Sequence, residues 1–209
     1  MNVKPKRTLA IGVTGGIGSG KSEVCALFQS LGGKVYSSDG IAKELTNSDA
    51  KVKRRIVQEF GPEMYKPDGT LDRKAMAKLI FSDESAKEKI NAIVHPVVID
   101  HIAKLIATAK KAAVPSMLFI ESALIYEAEI DEMFDYVILV VSEDNSRIDR
   151  VMKRDSVTRN EVLQRQAAQS PADKFREDAD FVIENNRDLQ QLKSNCTFIY
   201  SILCQSGPA

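Results

Sequence analysis

The chain predicts an α/β fold, a five-stranded parallel sheet with helices on both faces, and three observations carry that prediction. Apolar, β-rich segments recur at 9–13, 34–36, 117–120, 136–141 and 181–183, separated by long helical patterns. The first of them runs directly into a glycine loop and then a helical pattern, the order in which a strand, a phosphate-binding loop and a helix follow one another. At 209 residues and 44% hydrophobic content the chain buries a full core, so it reads as one compact unit with insertions.

The first strand, Leu9-Ala10-Ile11-Gly12-Val13, leads to Gly15-Gly16-Ile17-Gly18-Ser19-Gly20-Lys21-Ser22, a complete G-x-x-x-x-G-K-S pattern, and on into Glu23-Val24-Cys25-Ala26-Leu27-Phe28. The alternative is a plain glycine-rich turn, which needs neither the strand before nor the helix after. Gly15, Gly18 and Gly20 permit positive φ and let bare N–H groups approach oxygen atoms, and the helix N-terminus adds partial positive charge at the same point. Phosphate is the natural guest. Gly16, Ile17, Gly18, Ser19, Gly20, Lys21, Ser22 and Glu23 are the candidate binding residues, with Lys21 reaching the β- and γ-phosphates and the Ser22 hydroxyl ligating Mg2+. The expected ligand is a nucleoside triphosphate with Mg2+.

The second strand ends at Ser37-Ser38-Asp39, which puts Asp39 at the carboxyl edge of the sheet, where ligands of open α/β folds bind. A carboxylate there serves to orient or deprotonate an acceptor hydroxyl, to hold Mg2+ through water, or simply as N-cap of a helix starting near Ile41. About seventy residues then pass without a convincing strand. Helical patterns at 49–60 and 72–112 fill them, with Gly61-Pro62 and Pro67-Asp68-Gly69 as breakers and Pro96 predicted to start a new helix after His95. An insertion of that length is a candidate substrate-binding subdomain. His95 could stack on or hydrogen-bond a ligand, or be structural; His101 shows no partner. Glu121 closes the third strand with an address like that of Asp39, and with the same competing role as cap or edge carboxylate.

After the fourth strand a helical, charged excursion, 143–178, carries Arg147, Arg150, Lys153, Arg154 and Arg159. Spacings of three and four put residues 147, 150 and 154 on one helix face. They form either a solvated charged surface or an Arg-rich lid that closes over a triphosphate and excludes water.

Lys plus Arg and Asp plus Glu number 29 each, so no global field recruits nucleic acid or an anionic membrane. Cys25, Cys196 and Cys204 lack metal-ligand spacing, and Cys25 reads as a small buried residue. Three such cysteines fit a reducing cytoplasm. The basic start, Met1 to Thr8, precedes no hydrophobic core of a signal peptide, and no run of about 18 apolar residues is expected to span a bilayer.

The stations Asp39-Gly40-Ile41-Ala42-Lys43-Glu44-Leu45, Phe60-Gly61, Asp68-Gly69-Thr70-Leu71-Asp72-Arg73, His95-Pro96, Leu124-Ile125-Tyr126-Glu127, Arg154-Asp155, Gln169 and Ala179-Asp180-Phe181-Val182-Ile183-Glu184-Asn185, together with the glycine loop, resemble in order the signature of the dephospho-coenzyme A kinases. The resemblance spans about residues 9 to 187. It implies a P-loop nucleotide-kinase core (8–39, 113–142 and 179–209), a helical coenzyme A subdomain (40–112) and a lid (143–178). It further implies ATP-dependent phosphorylation of the ribose 3′-hydroxyl of dephospho-coenzyme A, the last step of coenzyme A synthesis, in the cytoplasm. Asp39 becomes the catalytic base and Lys21, Arg147 and Arg154 the charge-stabilising groups. Leu71, Asp72, Arg73 and His95 become acceptor contacts, with Glu121 beside them at the sheet edge. Glu23, Ala123 and Ile99 depart from the family, which usually carries Thr, Pro and a polar or basic residue there.

Other classes remain open on the residues alone. A signalling GTPase lacks support because no D-x-x-G occurs, and Asn185-Asn186-Arg187-Asp188 is a near miss to the guanine-reading N-K-x-D. A nucleoside monophosphate kinase and a non-catalytic nucleotide-responsive binding protein both use the same loop.

Overall fold

In the computed structural model of the protein, residues 7–112, 116–167 and 169–206 are described. Strand β1 (Leu9–Thr14) is buried along its whole length, the state expected of a small, apolar segment in a sheet covered on both faces. It occupies the centre of five parallel strands in the order β2-β3-β1-β4-β5. The others are β2 (Lys34–Ser37), β3 (Met117–Glu121), β4 (Tyr136–Val141) and β5 (Phe181–Glu184), so all five segments expected from the sequence are strands.

Parallel register brings the carboxyl ends together. Glu121 of β3 is paired with Val13 of β1 on one side and with Ser37 of β2 on the other, while Thr14 faces Leu139 and Val141 faces Glu184. On one face of the sheet, helices α1 (Lys21–Ser30) and α8 (Leu189–Gln205) bury Val24, Phe28, Ile199 and Leu203 against Leu9, Ile11 and Val13. The Phe28 and Phe119 rings stack with centroids 4.4 Å apart. On β1, Gly12 is dictated by packing, because a Cβ there would stand 2.7 Å from Ile125 Cδ1 and 3.1 Å from the Phe134 ring.

Contacts divide the chain into two compact units. The first runs up to Ser37 and resumes at Ile106; the second is Ser38–Leu105. The second unit holds α2 (Ser38–Ser48), α3 (Ala50–Phe60), α4 (Arg73–Ser82) and most of α5 (Glu84–Lys111) around Val52, Ile56, Leu71, Met76, Ile90 and Ile93. Helix α3 starts where its cap dictates, with Asp49 accepting from the Lys51 and Val52 amides.

Two expectations change here. Pro96 does not open a new helix but lies inside α5, which is continuous. A proline there removes the hydrogen bond to the carbonyl four residues back, that of Ala92. The Ala92 oxygen accepts instead from Arg55 of α3, at 3.5 Å. Asp39 is not the last residue of β2 either: the strand stops at Ser37, α2 begins at Ser38, and Asp39 sits in its first turn. Ser38 thus takes the helix start assigned to Ile41.

Within the first unit, α6 (Asp144–Asp155) and α7 (Arg159–Ala167) form a small helical pair around Ile148, Val151 and Val162, against which Ile17 of the glycine loop packs. Among the described helices, α5 alone is long and apolar enough to cross a bilayer, contrary to the expectation that no segment would be. Its apolar residues have other partners: Ile90 and Ile93 belong to the core of the second unit, and Val98, Ile102 and Ile106 are buried as well. An ion pair between Asp100 and Lys104 lies on the same helix.

Candidate active site

Between β1 and α1 the chain turns through Gly15, Gly18 and Gly20 at φ of 143°, 76° and 98°, angles that side chains resist. Gly20 is the N-cap of α1, and having no side chain it leaves the first turn without a side-chain cap. Helix N–H groups left in that way are partners for an anion. Lys21 lies back along the loop, donating from Nζ to the carbonyls of Gly15 at 2.8 Å and Gly16 at 3.1 Å. The Ser19 hydroxyl is buried without a hydrogen-bond partner among the described residues, the condition of a group awaiting a ligand or water.

The loop is held from remote parts of the chain. Gln169 accepts from the Ile17 amide at 2.8 Å, and Asn185, just past β5, donates from Nδ2 to the Ser19 carbonyl at 2.9 Å. From α6, Arg147 Nε donates to the Ile17 carbonyl at 3.0 Å, and its guanidinium lies where a Cβ on Gly16 would be. Arg150 donates to the Ser142 hydroxyl at 3.1 Å and to the Asn185 carbonyl at 2.9 Å, with longer contacts to the Gly18 and Ser19 carbonyls. These contacts put two guanidiniums beside the loop. A cavity of about 150 Å³ adjoins them, lined by Gly16, Ser19, Ser142, Arg147, Arg176 and Asn186 among others.

Arg154 behaves differently from its neighbours. Its side chain is 62% exposed and forks onto Asp155 at 2.7 and 3.0 Å, while Arg165 reaches the same carboxylate at 2.8 Å. The hydrogen bonds from Arg154, then from Arg165, hold the Asp155 carboxyl below its usual range. Of the three arginines that spacing puts on one face, Arg147 and Arg150 meet the loop and Arg154 does not, so Arg150 belongs beside the loop although the expected site omits it. Gln169 and Asn185 stand far from the loop in sequence, and no local pattern around either one points to a contact with it.

At the sheet edge, Ser22 Oγ donates to Glu121 Oε1 at 2.8 Å. Hydroxyl and carboxylate are hard oxygen donors of the kind Mg2+ takes. Cys25, one turn into α1, is buried, and its thiol pKa is pushed up, first by burial and then by the Glu121 charge. It is a packing residue.

The second unit carries the remaining candidates. Leu71 is buried in that unit's core, and Asp72 caps α4, accepting from the Lys74 and Ala75 amides at 3.0 and 3.1 Å. Those bonds, Ala75's foremost, lower the Asp72 pKa. Arg73 is exposed and makes no ion pair among the described residues. His95 is solvent-accessible on α5, with desolvation lowering its pKa.

A parallel sheet with an uncapped glycine loop, a lysine folded along it and arginines on an adjoining helix defines a P-loop kinase. The dephospho-CoA kinase family profile matches residues 9–191, and the chain belongs to that family. A dephospho-CoA kinase of Geobacter sulfurreducens is 36% identical over 191 residues, covering 91% of this chain and 96% of the relative. One from Salinibacter ruber is 38% identical over 193 residues, with 91% and 95% covered. A crystal structure from Thermus thermophilus superposes with a TM-score of 0.76 at 30% identity, covering 97% of this chain and all of that one.

Proposed function

We propose that this chain transfers the γ-phosphoryl group of ATP to the ribose 3′-hydroxyl of dephospho-CoA, giving CoA and ADP. The observation that carries the reading is the phosphate-binding loop itself, complete in sequence, uncapped in structure and set in a chain that matches the family from residue 9 to 191. The loop amides and Lys21 bind and orient the β- and γ-phosphates, and Arg147, with Arg154 on the same helix, stabilises the charge that spreads over the transferring group. Asp39 orients the acceptor hydroxyl and takes its proton as the oxygen–phosphorus bond forms and the bond to the β-phosphate oxygen breaks.

Ser22, whose hydroxyl lies 2.8 Å from the Glu121 carboxylate, would hold Mg2+. When bound, the ion neutralises phosphate charge. Residues 40–112 serve as the acceptor subdomain, with Leu71, Asp72, Arg73 and His95 toward dephospho-CoA, and residues 143–178 serve as the lid. The partners are these small molecules, without nucleic acid or membrane, in keeping with the balanced charge. The free state of Cys25, Cys196 and Cys204 agrees with a cytoplasmic setting.

The test is ADP release from the parent protein and from Asp39→Asn, with dephospho-CoA, nucleoside monophosphates and water as acceptors. The parent releases ADP only with dephospho-CoA. Asp39→Asn keeps shape and ADP binding but loses turnover by about a hundredfold or more. Near-normal turnover would assign Asp39 a helix-end role and move the base to Glu121.

A further inference from the structure

Ahead of Arg73 the chain makes a tight loop whose own sequence accounts for only half of its shape. Pro67 and Gly69 set a β-turn in which the Gly69 amide bonds the Lys66 carbonyl at 2.9 Å, with Gly69 at φ 79°. Asp68 Oδ1 accepts from the Thr70 amide at 2.9 Å and its hydroxyl at 2.6 Å. These bonds close the turn but fix it to nothing outside itself.

The anchoring comes from α2 and α3. Lys53 Nζ donates to the Gly69 carbonyl at 2.7 Å and, more loosely, to the Asn47 carbonyl at 3.4 Å. The same ammonium stands 5.1 Å from the centroid of the Tyr65 ring, whose hydroxyl donates to the Thr46 carbonyl at 2.9 Å. Asn47 Oδ1 accepts the Leu71 amide at 2.9 Å. Tyr65 and Leu71 form an antiparallel bridge, and the Asp72 amide bonds the Met64 carbonyl at 2.7 Å. A lysine whose charge serves backbone carbonyls and a ring, with no ion pair among the described residues, is spent on holding a loop. Immediately after that loop stand the cap Asp72 and the exposed Arg73.

We propose that Lys53 and Asn47 are positioning residues for the acceptor: they fix loop 66–71 so that Arg73, at the first position of α4, is presented in one orientation to an anionic, phosphate-bearing part of the acceptor. The proposal rests on the reading above that residues 71–73 serve dephospho-CoA. Arg73 gains most from being preorganised, because a guanidinium binds phosphate through a planar fork that a wandering loop would have to order at each encounter. Lys53 and Asn47 act on binding and leave the phosphate-transfer step alone.

The full chain is compared with Lys53→Met, Asn47→Ala, Asn47→Asp and Arg73→Ala, measuring KM for dephospho-CoA, kcat, ADP affinity and melting. Lys53→Met and Asn47→Ala raise KM for dephospho-CoA about tenfold, with kcat and ADP affinity unchanged. Asn47→Asp, which keeps an oxygen acceptor for the Leu71 amide, restores the parent KM. If Arg73→Ala raises KM while Lys53→Met and Asn47→Ala do not, the clamp is refuted and the acceptor reading stands. If none of them raises KM, the acceptor reading of this stretch falls and the clamp with it. A parallel loss of kcat and ADP affinity reduces the two residues to general stability and also refutes the proposal. Should Lys53→Met fail to fold, the contrast between Asn47→Ala and Asn47→Asp decides alone.

Discussion

Gly18→Ala tests whether α6 holds the phosphate loop. Gly18 sits at φ 76°, and a Cβ there would stand 2.5 Å from the Arg147 carbonyl oxygen, 2.9 Å from Val151 Cγ2 and 3.0 Å from the Arg147 carbonyl carbon. The left-handed backbone alone costs alanine about 1 kcal/mol relative to glycine. Two of the three close atoms are backbone, so no rotamer relieves them and α6 must withdraw from the loop. Withdrawal gives up the Arg147 bond to Ile17 at 3.0 Å and weakens the Arg150 contacts at 3.4 and 3.5 Å. At about 1.5 kcal/mol for a hydrogen bond to a charged group, the total is about 2–4 kcal/mol. For a chain of this size that is a fall in Tm of about 5–15 °C. Gly32→Ala is the control, because Gly32 has φ 104° but only the Tyr200 hydroxyl nearby, at 3.4 Å. It carries the backbone cost without the collision, a fall of about 2–4 °C. Thermal melting and ADP titration distinguish the two, with ADP affinity normal in Gly32→Ala and weakened about tenfold in Gly18→Ala. If Gly18→Ala melts with the control and binds ADP like the parent, α6 does not brace the loop and the reasoning fails.

Lys21→Met removes a charge from the phosphoryl path and two carbonyl contacts, so turnover falls about a hundredfold or more while the protein stays folded; near-normal transfer by the folded variant rules out the role. Arg147→Ala lowers turnover and also costs about 1–2 kcal/mol, since its guanidinium is largely buried against Ile17, whereas Arg154→Ala slows transfer with little change in melting. Full activity in both variants would leave Arg147 as a brace of the loop and Arg154 as a surface ion pair, neither with a part in the transfer. Burial raises the Cys196 thiol from 9.0 to about 11, so its contribution to stability is complete below pH 9 and is lost as pH climbs toward about 11. The slope is roughly 1.4 kcal/mol per pH unit, and Cys196→Ala should flatten it in urea titrations across that window; an unchanged slope refutes the assignment.

The five strands, the phosphate loop and the helical character of both excursions are legible in the residues alone. Strands buried on both faces must be continuously apolar, and a loop that offers amides to phosphate must be rich in glycine, so both constraints are written locally. The start of α2 at Ser38 and the passage of α5 through Pro96 depend on packing between distant segments. In the second case the orphaned Ala92 carbonyl finds Arg55 on another helix, which no window around Pro96 contains. The same holds at the site. Ser22, Lys21 and Gly20 are adjacent and legible, but the bonds that shape their loop come from Arg147, Arg150, Gln169 and Asn185, more than a hundred residues away. Spacings of three and four put residues 147, 150 and 154 on one face, and only the packing of α6 sent the first two to the loop and Arg154 to Asp155. Periodicity fixes which residues share a face; which part of that face meets the loop depends on where the helix ends up, and that is set by contacts distant in sequence.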